Sequence, residues 1–219
     1  MFPPYPLPED FSVHRSKAQL RAAILAARRS VAPQTRATEA AALAARLSTF
    51  IDPGQTVCAY VPVGSEPGSV ELLDAMVRRG VDVLLPVARH GPDGTAQPLQ
   101  WGRHRPGELV DAPFGLQEPP QPWAPAEAIA DAAVVLVPAL AVDRRGVRLG
   151  RGAGFYDRTL PMADSAALLI AVVRDDEVLE DRPSDPHDIP MTHALTPGEG
   201  LTVLGSRGES AGPPGGSST

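Results

Sequence analysis

Apolar residues recur at two spacings along this chain. In "SKAQLRAAILAARRSV", residues 16–31, Leu20, Ile24, Ala27 and Val31 line one side of a helix at intervals of three or four. Ser16 stands before the run and Gln19 three residues on, which is a capping-box arrangement. A second, alanine-rich helix is expected over about residues 35–50, and "SVELLDAMVRR" reads as a third, closed by Gly80. Four other runs, "TVCAYVPV", "VDVLLPVA", "AAVVLVPALAV" and "AALLIAVV", are apolar on both faces and read as buried strands. Such strands alternating with helices predict an α/β domain with a parallel sheet covered on both sides. Between residues 89 and 125 proline and glycine break the pattern, and one short strand is expected around "PLQW".

The ends follow different rules. Residues 1–13 carry four prolines and are expected to form a flexible arm. Residues 206–219, "SRGESAGPPGGSST", are expected to be disordered, because glycine, proline and serine cannot build a core. One catalytic domain over 14–205 is left. At 43% hydrophobic it can bury a core, and the net charge of −6 gives no reason to expect nucleic acid. No apolar run approaches the roughly 20 residues a membrane span needs, and the proline-broken start is not a signal peptide. A cytoplasmic protein, monomeric and apart from membranes, is the expectation. Cys58, the only cysteine, reads as a buried inert thiol. Of 20 basic residues, Lys17 alone is lysine, which makes it the informative one.

The densest chemistry lies in "RRGVRLGRGAGFYDRTL", residues 144–160. Gly150, Gly152 and Gly154 let backbone N–H groups approach an anion, and Arg148 and Arg151 supply forked charge. A helix starting near Phe155 would add donors, and Asp157 follows within reach of a Mg²⁺ on bound phosphates. The plain alternative is a glycine-rich surface turn with solvated arginines. Neither G-x-x-x-x-G-K-[ST] nor G-x-G-x-x-G is present. On the first helix, Lys17, Arg21 and Arg28 fall within about 40° of one another, either as a second basic element or as a solvated stripe.

Two further loops carry polar candidates. Glu66, in "VPVGSEPGS", can accept a bidentate hydrogen bond from an amidine-like edge such as that of a pterin, or it can assist the next helix N-terminus. Asp185, His187, Asp188 and His193 suggest a transition-metal site. With no thiolate nearby, Asp188 assisting Mg²⁺ is the simpler reading, and a polar turn shaped by Pro186 and Pro190 is the other.

Lys17–Arg21 as K-x-x-L-R, Glu66 after the first strand, "FGLQEP" at 114–119 and "VPALAVDRRGVRLGRGAGFYDRTL" at 137–160 together resemble the 5-formyltetrahydrofolate cyclo-ligase family over about residues 16–196. The resemblance implies a three-layer α/β/α fold with a mostly parallel sheet. It implies the use of Mg²⁺ and ATP to phosphorylate the formyl oxygen of 5-formyltetrahydrofolate, after which N10 attacks and 5,10-methenyltetrahydrofolate forms. Lys17, Arg21 and the loop Arg148, Leu149, Gly150, Arg151, Gly152, Ala153, Gly154, Phe155 and Tyr156 would bind ATP. Arg148 and Arg151 would stabilise the reacting charge, and Asp157 and Asp188 would hold Mg²⁺. Glu66, Phe114 and the residues Arg151–Phe155 would bind the folate. Ala153 stands where members often have lysine or glycine, Phe155 where tyrosine is frequent, Pro67 where a β-branched residue is usual, and Thr192 where aspartate is common.

Two readings compete with the enzyme. One is a non-catalytic nucleotide- or folate-binding protein on the same fold. The other is a relative of sugar-phosphate isomerases or acyltransferases, which rests on architecture alone.

Overall fold

The computed structural model describes residues 16–180 and 189–205. Helices α1 (Lys17–Ser30) and α2 (Pro33–Leu47) precede β1 (Thr56–Cys58), α3 (Val70–Arg78) and β2 (Asp82–Val87). Short strands β3 (Gln100–Arg103), β4 (Val110–Ala112), β5 (Leu116–Glu118) and β6 (Trp123–Ala124) fill the middle. Then come β7 (Val134–Pro138), β8 (Ala141–Asp143), β9 (Arg148–Leu149), α4 (Phe155–Thr159), β10 (Leu168–Val172), β11 (Val178–Leu179), β12 (His193–Thr196) and β13 (Gly200–Val203).

Eight strands form the central sheet in the order β13-β12-β10-β7-β1-β2-β3-β6. The strands from β12 to β2 pair in parallel, and β13, β3 and β6 add antiparallel edges. Strand side chains alternate between faces. Val57, Val83, Leu85, Val134, Leu136 and Ile170 join one core cluster, under Leu43 and Leu47 of α2 and Leu72, Leu73 and Met76 of α3. Cys58, Val135, Val137, Leu169 and Ala171 point the other way, where 3-10 turns at Ala126–Asp131 and Leu160–Met162, together with α4, cover them through Ile129, Leu160 and Phe155. The α/β fold is thus as expected, with long helices on one face and mostly short helical turns on the other. Burial pushes the Cys58 thiol up to about 12, so it stays protonated.

Helix boundaries follow their caps. Ser16 accepts from the Gln19 N–H and the Gln19 side chain accepts from the Ser16 N–H, closing the expected box. Ser69 accepts from the Leu72 N–H at the start of α3, so that helix has a side-chain cap other than Glu66. The alanine-rich helix starts and ends slightly earlier than the expected 35–50, since Pro33 is pre-set for a first helical turn.

Two expectations change. "AAVVLVPALAV" is not one strand. β7 stops at Pro138, which has no N–H to donate, and the chain leaves the central sheet to form β8 beside β9 and β11. In the middle, β4 and β5 make a separate two-stranded hairpin, absent from the expected elements because its residues show no clear alternation.

Arg28 departs from the basic stripe. It is 1% exposed, and its Nε and Nη2 donate to the two carboxylate oxygens of Glu177 at 2.6 Å each, with Nη2 also donating to the Ala139 carbonyl at 2.7 Å. A ring-like charge pair therefore docks α1 at the point where the chain leaves β7. Leu20 and Ile24 of the same helix pack on Leu140, Ala141 and Leu149.

Asp176 sits beside that pair, and burial next to Glu177 pushes its carboxyl up to about 6. Because this folded value lies above the unfolded value of roughly 3.9, proton binding by Asp176 favours the fold below about pH 4, and that contribution is lost as pH rises through about 6. Asp176→Asn is expected to raise the thermal midpoint at pH 7.5 and to leave it near wild type at pH 4, read by calorimetry at both values. Gly146 has φ of 89°, donates to Asp143 and accepts from the Met191 N–H at 2.8 Å. A Cβ there would collide with the Met191 carbonyl oxygen. Gly146→Ala is therefore expected to cost roughly 2–5 kcal/mol from left-handed strain plus a backbone clash, measured by urea unfolding.

Candidate active site

One cavity of about 580 Å³ opens at the carboxyl ends of β1, β2 and β7, where ligands sit in open parallel sheets. Tyr60, Val61, Val63 and Glu66 reach it from the loop after β1, Ala88 and His90 from the segment after β2, and Pro138 and Ala139 from the end of β7. The segment Arg148–Asp157 forms a further wall, together with Lys17 and Arg21 of α1. Sequence positions more than a hundred residues apart thus meet at one cationic surface.

The local geometry of that wall follows from its residue types. Arg21 Nε donates to the Gly150 carbonyl at 2.9 Å and ties α1 to the glycine segment. Gly152 and Gly154 have φ of 97° and 81°, values that side-chain-bearing residues rarely adopt. At Gly152 the space a Cβ would need is bordered by the Arg21 guanidinium at 3.6 Å. Helix α4 starts at Phe155, as expected. The result is a turn without bulky side chains at alternate positions, faced by arginines.

Each arginine of the loop already has a carboxylate. Arg148 Nη2 lies 2.7 Å from Asp157 Oδ1, its Nη1 donates to the Pro138 carbonyl, and its guanidinium sits 5.6 Å from the Tyr156 ring centroid. Arg151 Nε lies 2.8 Å from Glu66 Oε1, and Glu66 Oε2 accepts from the Val63 N–H at 3.0 Å. The Asp157 side chain is 52% exposed, whereas the Glu66 side chain is 11% exposed and held in place by its loop.

The rest of the cavity is drier. Pro86, Ala88, Leu99, Leu116 and Phe155 contribute to it, and the His90 ring meets the Phe155 ring edge-on at 5.0 Å. Tyr156 has a wholly buried hydroxyl with no partner among the described residues, and burial raises its pKa. Tyr60 donates to the Pro67 carbonyl at 2.6 Å, and burial raises its pKa well above the usual range too.

The expected residues Lys17, Arg21, Glu66, Arg148, Leu149, Gly150, Arg151, Gly152, Ala153, Gly154, Phe155, Tyr156 and Asp157 all border this one cavity. Arg28 does not; it is committed to Glu177 in the core. Phe114 belongs to the 3-10 turn at the tip of the β4–β5 hairpin, whose neighbours Pro113 and Leu116 line the cavity. Asp185, His187 and Asp188 lie outside the described residues. His193 is in β12 beside Thr192, and among the described residues no group of three or more His, Cys, Asp or Glu could hold a metal. Thr192 bonds both backbone groups of Leu169 and so ties β12 to β10. The sequence reading missed Glu118 and His90. Glu118 stood in the quoted "FGLQEP", whereas His90 had no pattern around it.

Residues 13–197 match the sequence model of the 5-formyltetrahydrofolate cyclo-ligase family. The chain belongs to this family. A 5-formyltetrahydrofolate cyclo-ligase from Mycolicibacterium smegmatis is 62% identical over 190 residues, covering 87% of this chain and 98% of that protein. One from Escherichia coli K12 is 28% identical over 173 residues, covering 78% and 94%. The NMR structure of Aquifex aeolicus 5,10-methenyltetrahydrofolate synthetase aligns with a TM-score of 0.69 at 26% identity, over 86% of this chain and 92% of that one. A 5,10-methenyltetrahydrofolate synthetase from Mycoplasma pneumoniae, at 18% identity and a TM-score of 0.62 over 81% and 96%, shares the fold. Among the described residues, no helix of this cyclo-ligase family member is long and apolar enough to cross a membrane.

The arginine wall makes a prediction that does not depend on turnover. Inorganic tripolyphosphate should bind the cyclo-ligase fold in calorimetric titration, more weakly as salt rises. Arg151→Gln should weaken it by about fivefold or more, because a forked cation is lost from a polyanion site. Binding within about twofold of wild type would leave Arg151 as no more than the surface partner of Glu66.

Proposed function

We propose that this chain catalyses the ATP-dependent cyclisation of 5-formyltetrahydrofolate to 5,10-methenyltetrahydrofolate, releasing ADP and phosphate through a phosphorylated formyl intermediate. The observation that carries the reading is the union, in one cavity, of an arginine- and glycine-lined wall with a drier region, where a fixed carboxylate, Glu66, pairs with Arg151 of that wall. The first suits a triphosphate and the second a flat heterocycle with an amidine-like edge.

The reaction needs activation because an amide oxygen is a poor leaving group. The formyl oxygen attacks the terminal phosphorus of ATP, a C–O–P linkage forms and the bond to ADP breaks. N10 then attacks the formyl carbon with its lone pair, the carbon–oxygen bond breaks, and phosphate departs with the N10 proton. No side-chain nucleophile is required. The chain's work is positioning and charge stabilisation.

Within this reading, Lys17 and Arg21 hold phosphates from α1, while Arg148, Arg151 and the backbone N–H groups of residues 150–156 hold them from the loop. Glu66 holds the pterin, and Phe114 borders it. Arg148 and Arg151 neutralise charge growing on the transferred group. Asp157 fits a hard divalent cation: it is an exposed carboxylate at the phosphate wall with one oxygen free of Arg148. Bound Mg²⁺ supplies charge neutralisation of the phosphates, with Asp188 as the proposed second carboxylate. The ion pairs seen at Arg148 and Arg151 are then exchanged for phosphate contacts, which releases Asp157 and Glu66 for their own ligands.

Mixing the protein with 5-formyltetrahydrofolate and Mg·ATP is expected to raise near-ultraviolet absorbance as methenyltetrahydrofolate forms. Binding of both ligands without that rise would favour the non-catalytic alternative. Lys17 tests the clamp further. A point charge between phosphates is poorly replaced by a bulkier planar fork. Lys17→Arg should keep thermal stability and lower kcat/KM for ATP by about tenfold, roughly 1.4 kcal/mol of transition-state binding. A value within about twofold of wild type would make Lys17 an ordinary surface charge.

A further inference from the structure

The β4–β5 hairpin borders the same cavity as the phosphate wall, through Ala112, Pro113, Leu116, Gln117 and Glu118. Among the described residues its two strands pair only with each other, outside the central sheet. Something other than a sheet ladder must fix its position.

The fixing contacts gather at its second strand. Glu118 is 8% exposed although it is a carboxylate, and its two oxygens accept from Arg89 Nη2 and Nη1 at 2.7 and 2.8 Å. The same Nη1 donates to the Ala88 carbonyl at 2.8 Å, and the guanidinium lies 4.5 Å from the centroid of a Trp123 ring. One step on, Pro119 packs so closely on Gly102 of β3 that a Cβ there would clash with its ring, and the Pro119 carbonyl accepts from the Trp123 indole at 3.0 Å. A bidentate pair of this kind fixes direction as well as distance. It ties the hairpin to Ala88, which is itself a cavity residue at the end of β2.

We propose that Arg89 and Glu118 form a positioning pair that sets the hairpin wall against the folate, without touching the nucleotide. The inference rests on the folate reading of this cavity. Glu118 uses both oxygens on Arg89, so it acts through the hairpin and through Ala88. Loss of either partner loosens one wall of the cavity and leaves the Lys17–Arg21–Arg148 side as it was.

The experiment is a steady-state comparison of wild type, Glu118→Gln, Arg89→Met and the double variant, with each substrate varied in turn and melting temperatures recorded alongside. Both single variants should raise KM for 5-formyltetrahydrofolate by about tenfold and leave KM for ATP within about twofold. The double variant should be no worse than either single one, since both remove the same coupling. If Arg89→Met leaves the folate KM within about twofold while Glu118→Gln raises it, Glu118 touches the folate directly and the positioning role is overturned. Equal losses for both substrates, or a wild-type folate KM in both variants, overturn it as well. Should the wild-type protein itself give no methenyl product, the functional reading fails first, and the positioning role, which rests on it, falls with it.

Discussion

The buried pair between Arg28 and Glu177 governs how the rest of the molecule comes together. It joins α1, the end of β7 through the Ala139 carbonyl, and the turn after β10, where Glu177 also accepts from the Arg174 N–H. Two charges in a dry interior are tolerable only because each is met by several hydrogen bonds, and removing one partner from such a pair typically costs about 3–5 kcal/mol. The pair contributes direction more than net stability. It sets the angle at which α1 lies over β8 and β9, and so where Lys17 and Arg21 stand relative to Gly150. Hydrophobic packing of Leu20 and Ile24 on Leu140 and Leu149 favours contact, but apolar surfaces alone do not fix a rotation.

The wall that faces this helix shows a second constraint. Its arginines and carboxylates are matched in number and reach across loops: Arg151 to Glu66, Arg148 to Asp157. A cluster of like charges at a sheet edge would repel itself, and each carboxylate offsets that repulsion. The pairs are partly exposed, so each is worth little on its own. Their weakness means that either pair can open at little cost.

Much of this was legible in the sequence, for identifiable reasons. Ser16 and Gln19 encode a helix start by local chemistry, and the capping box is present. The parallel sheet was legible because its strands are apolar on both faces. The cavity-lining segment 148–157 stood out because glycines alternate there with charge. What stayed hidden depended on distant partners. Nothing in the spacing of Arg28 separates it from Lys17 and Arg21, because its fate is decided by Glu177. The end of β7 was masked by continuous apolar sequence through Leu140 and Ala141, where only Pro138 marks the exit. The β4–β5 hairpin gave no periodic signal, since it rests on Arg89 and Gly102 rather than on an apolar face of its own. In "FGLQEP" the part of Glu118 was hidden because it depends on Arg89, 29 positions earlier.

The bond from Arg21 to the Gly150 carbonyl spans 129 positions of the chain. During synthesis α1 leaves the ribosome well before the glycine loop, which follows only after β1, β2, β3, β6 and β7 of the central sheet. An isolated helix of this length is marginal in water. α1 therefore spends most of translation without the surface that gives it a fixed place, and contacts this distant in sequence are the slow ones to close. The cationic wall is completed late, so a half-made chain carries the parts of the cavity without the cavity itself. Possession of a working pocket then marks a finished polypeptide.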